Sequence, residues 1–184
     1  MNYPFLLKFS AITNLSDARY AAGMWADFIG FCFDPSSPDY IEPNKAKEIA
    51  GWINGPLVVG EFGHQPKEWI ADFVKAIPLH AIQIPANYSD VSIQDLSLPI
   101  LLKTETAELT PLMAHAKCLV CDSKEMMAAL NKSTELTILY EPKDSSAIDK
   151  TEQYAGIALK GQAETAPGTR NHDAWTVMLE PYMD

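Results

Sequence analysis

The sequence has few cysteines, little positive charge and no long apolar run. Its three cysteines are Cys32, Cys118 and Cys121. An odd, low count argues against a disulfide framework and for a reducing, cytoplasmic setting. Basic residues number 14 against 24 acidic ones, a net charge of −10. There is no basic stripe, so nucleic acid is not an expected partner. An anionic sugar phosphate would need a local site, because the overall field opposes it. No apolar run approaches the ~20 residues of a membrane-spanning helix. The opening Met1-Asn2-Tyr3-Pro4-Phe5-Leu6-Leu7-Lys8 lacks the basic region and apolar stretch of a signal peptide, so no membrane association is expected. Neither a P-loop nor a G-x-G-x-x-G loop occurs.

The 184 residues are 47% hydrophobic and 21% charged. This is ordinary globular composition, and it predicts one domain over residues 1–184. Apolar runs at 5–12, 27–33, 56–62, 79–84, 98–103, 117–122, 136–140 and 156–160 read as strands. Helical stretches between them are expected at 16–24, 44–53 (with Pro43 at its start), from Gln65-Pro66 onward, at 107–116, 124–131, 145–154 and 172–182. Thr13-Asn14 offers a helix N-cap. Eight strand–helix units predict an α/β fold, a compact (βα)8 TIM barrel, with an open doubly wound sheet as the alternative. Such barrels typically have about 250 residues. The loops must therefore be shortened, and the stretch 89–97 after strand four is too short for a full helix.

In a parallel barrel the active face lies at the carboxyl ends of the strands. The polar residues expected there include Ser10, Asp34, His64, Gln83, Asn87, Lys103, Glu105, Asp122, Glu141 and Lys160. Asp122 ends an apolar strand and suits a general acid or base; it equally suits an N-cap for the following helix. Ser10 has no base beside it in sequence, so it reads first as a small interior residue. Cys118 and Cys121 stand three apart on one strand and point to opposite faces, so they cannot chelate one ion. The four histidines show no ligand spacing, and no metal site is expected. Trp25, Trp52, Trp69 and Trp175 fall in helices or their flanks and are expected to pack.

Three stretches resemble the phosphoribosylanthranilate isomerase family. Lys8-Phe9-Ser10-Ala11-Ile12-Thr13-Asn14 is similar to the family's Lys-x-Cys-Gly-[Ile/Leu]-Thr opening. Ala26-Asp27-Phe28-Ile29-Gly30-Phe31-Cys32-Phe33, continuing to Ser37-Pro38-Asp39, is similar to its Ala-Asp-x-x-Gly-Phe-x-Phe and Ser-Pro-Arg signature. Residues 156–173, with Glu164, Pro167-Gly168 and Arg170, resemble its last strand and the sequel. The resemblance implies a TIM barrel of tryptophan biosynthesis. It implies an Amadori rearrangement of a phosphoribosyl amine without metal or organic cofactor, a cysteine base and an aspartate acid.

Carried over residue by residue, the resemblance puts the acid on Asp122 and the base on Ser10. A serine hydroxyl is a far poorer base than a thiol. The arginine for the anthranilate carboxylate falls on Asp39, whose charge repels it. The implied substrate-binding set is Asp39, Gln83, Lys103, Lys160, Gly161 and Glu164. The histidine after Gln83 is replaced by Pro85. Glycine-rich phosphate turns are missing after strand six, and Tyr140-Glu141-Pro142-Lys143 takes their place after strand seven; phosphate cradles need close backbone N–H groups. The expectation is an isomerase-like barrel with altered or lost isomerase activity. The alternative is a repurposed or non-catalytic barrel that takes another small ligand or a protein partner. The expected assembly is a monomer or homodimer.

Overall fold

The computed structural model describes residues 3–143, 148–149, 152–160 and 172–183. Among them, eight strands form a closed parallel barrel in chain order. They are β1 (Leu6–Ser10), β2 (Phe28–Cys32), β3 (Leu57–Glu61), β4 (Ala81–Pro85), β5 (Ile100–Lys103), β6 (Ala116–Cys121), β7 (Thr137–Tyr140) and β8 (Gly156–Lys160). β8 closes on β1, with Leu6 opposite Gly156 and Ser10 opposite Lys160. The open-sheet alternative is thereby excluded.

Helices α1 (Leu15–Gly23), α2 (Pro43–Gly51), α3 (Lys67–Ala76), α4 (Lys124–Ser133) and α5 (Asp173–Leu179) lie outside the strands. Their starts follow local chemistry. Asn14 caps α1, its side chain accepting from the Asp17 N–H at 2.8 Å. Pro43 opens α2, where its missing N–H costs nothing. Ser123 caps α4.

The crossovers after β4 and β5 are trimmed to 3-10 turns, Val91–Leu96 and Pro111–His115. A short crossover after β4 matches the sequence reading. The helix expected over 107–116 does not form. Proline is tolerated only in a first turn, so the turn starts at Pro111, and β6 begins five residues later at Ala116. Most of the helix expected at 145–154 lies outside the described residues.

Alternation along the strands builds two layers. Leu7, Phe9, Ile29, Phe31, Ile82, Leu102, Leu119 and Cys121 face the helices in the larger core. Val59, Ala81, Leu101, Cys118, Val120, Leu139 and Ala158 fill the barrel interior, with Leu6 and Phe28 packed against them. Cys118 and Cys121 thus belong to different layers, as the period of two requires. Trp175 is buried and Trp69 packs against the core. Trp25 and Trp52 instead are 66% and 68% exposed, against the packing role expected for them. Both stand past a helix end: Trp25 follows the C-cap Met24 of α1 and has a positive φ of 56°, and Trp52 is itself the C-cap of α2 in the helical region.

Candidate active site

Above the apolar interior the inward positions become polar: Lys8 and Ser10 on β1, Glu61 on β3, Gln83 on β4 and Lys103 on β5. Lys8 is fully buried. Its Nζ donates to Ser10 Oγ at 2.6 Å and ion-pairs with Glu61. The second oxygen of Glu61 accepts the Ala11 N–H at 3.1 Å. Ala11 adopts a left-handed φ of 55° just past β1. Gly30 on β2 makes this arrangement possible, because a Cβ there would lie 2.0 Å from Glu61 Oε1.

A second pair joins the half-exposed Lys103 to the buried Glu141. Burial alone would raise the Glu141 carboxyl. The charges of Lys103 and Lys8, with the hydrogen bond from Lys103, outweigh it and hold the group below its ordinary value. Burial pulls Lys103 down, and Glu141 more than restores it, so the ammonium sits above its ordinary range. Ser10 accepts from Lys8 at 2.6 Å, and the residue is only 3% exposed.

Two further pairs ring the mouth. Lys143 meets Asp122 at 3.1 Å, and Lys160 meets Asp39 at 2.6 Å. Asp122 lies at the end of β6, and the N-cap of α4 is its neighbour Ser123. The structure thus brings together Asp39 with Lys160 and ties Ser10 to the charge network. Ser10 and Asp122 have separate partners. Gly161 and Glu164 lie outside the described residues. Among the described residues, Lys8, Lys103, Lys143 and Lys160 at this end of the barrel are each matched by a carboxylate.

Sequence reasoning missed Lys8 and Glu61 as site residues. The available signal was their inward phase on strands that are otherwise apolar. Among the described residues, no group of three or more His, Cys, Asp and Glu could hold a metal ion.

Among the described residues, a recess opens at the mouth, off the barrel axis over the ends of β3, β4 and β5. It measures about 400 Å³ and is lined by Phe62, His64, Gln83, Lys103, Glu105 and Thr110, among others. Gln83 is 6% exposed, and its Oε1 has no hydrogen-bond partner. Of the expected substrate-binding set, Gln83 and Lys103 line this recess; Asp39 and Lys160 do not.

No family model matches the chain. Curated relatives do. It is 38% identical over 80 residues to the N-(5'-phosphoribosyl)anthranilate isomerase of Thermotoga petrophila, covering 42% of this chain and 38% of the relative. It is 30% identical over 114 residues to that of Nitrosomonas eutropha, covering 61% and 54%. The chain thus spans about two fifths to half the length of these relatives. Among solved structures, phosphoribosyl anthranilate isomerase from Thermus thermophilus superposes with a TM-score of 0.78 at 20% identity, covering 96% of this chain and 98% of that one. That likeness shows the fold, and in sequence the chain is similar to phosphoribosylanthranilate isomerases over part of their length.

Proposed function

We propose that this chain is a repurposed member of the family that no longer carries out the Amadori rearrangement. The observation that carries this reading is the state of Ser10. The residue at the base position is buried and holds a hydrogen bond from the Lys8 ammonium, which is itself paired with Glu61. A general base must come within hydrogen-bond reach of the proton it takes. Ser10 reaches Lys8 instead, and its hydroxyl lacks an unpaired base to activate it.

The same network argues against phosphate binding. Glu141 puts a carboxylate and Pro142 removes an N–H donor where a glycine-rich turn would be needed. Lysines already paired to carboxylates attract an added anion weakly. Asp122 keeps the acid position of the family, but it has no base to work with.

The ligand is then a small molecule other than a phosphoribosyl amine. The three cysteines are free and buried, which suits the reducing cytoplasm to which we assign the protein; the assembly is a monomer or homodimer. The test is complementation: expression in a strain lacking the isomerase should not restore growth without tryptophan. Restored growth at ordinary expression would overturn the proposal.

A further inference from the structure

We infer that the recess over β3, β4 and β5 is a binding site for a small organic cation that donates N–H hydrogen bonds. The inference deepens the proposed function and rests on it. Its starting point is polar atoms. Three buried side-chain oxygens among the described residues have no hydrogen-bond partner, and two of them, Gln83 Oε1 and Thr110 Oγ1, belong to residues lining this recess. Buried polar groups are nearly always paired, and an unpaired one costs about 1–3 kcal/mol. The Gln83 carbonyl accepts only, and the Thr110 hydroxyl can accept too. Both ask for a donor.

Charge gives the sign of the ligand. Glu105 and Glu108 stand exposed at the rim, against a single lysine, Lys103, whose charge is already taken by Glu141. An anion entering here meets two carboxylates; an ammonium or guanidinium meets two counter-charges. The floor suits the carbon skeleton. Phe62 lines it as a buried apolar residue, its ring packed against Phe33, Trp69 and Phe73. His64 lies parallel to Tyr88 at the side, with ring planes 7° apart. The volume of about 400 Å³ falls within the range of small-ligand sites, about 300–1,000 Å³.

The experiment is a set of titrations into the full-length protein followed by amide NMR shifts. The probes are benzylamine, agmatine, anthranilate and inorganic phosphate. At least one amine should saturate, moving resonances of β4 and β5. Gln83→Leu should weaken it about tenfold, the worth of one hydrogen bond to a charged donor. The double variant E105Q/E108Q changes only exposed side chains, so it keeps the fold and should weaken binding by a similar factor. Anthranilate and phosphate should not saturate at this site. Failure of both amines to saturate overturns the inference, as does amine binding unchanged in the rim variant, or anthranilate or phosphate binding that depends on Gln83. Isomerase turnover, scored separately, would overturn the reading beneath it while leaving amine binding to stand or fall by its own titration.

Discussion

Removing Glu61 should be among the most damaging single changes at the mouth of this barrel. Lys8 is fully buried, and its ammonium is satisfied by Glu61 and by Ser10 at 2.6 Å. Glu61→Ala leaves that ammonium without its ion-pair partner and removes an acceptor of the Ala11 N–H. Breaking a buried pair from one side typically costs about 3–5 kcal/mol. For a chain of this size each kcal/mol moves the melting point by about 2–4 °C, so Tm should fall by about 6–20 °C. Removing both charges is a different perturbation. Lys8→Met with Glu61→Leu replaces the pair by apolar volume, and such replacements are often neutral or better. The double variant should stand within about 2 kcal/mol of the parent despite the lost Ala11 acceptor. Urea denaturation followed by far-ultraviolet circular dichroism measures the parent and both variants. A Glu61→Ala protein within about 1 kcal/mol of the parent, or a double variant worse than it, would refute the idea that Lys8 and Glu61 form one buried unit.

Three smaller effects follow from neighbouring features. Gly30→Ala puts a Cβ 2.0 Å from Glu61 Oε1 and should cost about 1–3 kcal/mol as overpacking; in a Glu61→Ala background the cost should largely vanish, and equal costs in both backgrounds would contradict the account. Glu141 is held below its ordinary value of 4.5. Its contribution is therefore complete above about pH 4.5 and lost as pH falls through the folded-state value, so Glu141→Gln should flatten the acid limb of stability against pH, and an unchanged limb would refute this. Trp25 is exposed and adopts φ 56°. Trp25→Gly should raise stability by about 0.5–1 kcal/mol in denaturant unfolding, whereas a loss would mean that the indole packs more than its exposure indicates.

The strands were readable because their apolar runs are bounded by turn residues; six fall within the expected stretches, and β4 and β6 each overrun theirs by one residue. The caps of α1 and α2 were readable at Asn14 and Pro43 for the same local reason. Residues 107–116 misled because their composition suits a helix, while Pro111 and the nearby start of β6 leave room for one 3-10 turn. The site was half legible. Ser10, Gln83, Lys103 and Asp122 all reach the carboxyl end of the barrel. Their partners could not be read, because which inward charge meets which depends on the stagger between strands. Lys8 finds Glu61 two strands away, and Lys103 likewise finds Glu141 past β6. The exposure of Trp25 and Trp52 was equally out of reach, since it depends on how each helix ends rather than on residue type.

The central claim is that the base position no longer does chemistry on a phosphoribosyl amine. The most direct measurement is turnover of phosphoribosylanthranilate by the purified parent and by Ser10→Cys, each verified as folded. A thiol restores the residue type of the family but leaves Lys8, Glu61 and Glu141 around it and leaves Glu141-Pro142 in place of a phosphate turn. Both proteins should match the rate in buffer. Turnover by the parent, abolished in Asp122→Asn, would contradict the account and return the chain to its family's reaction.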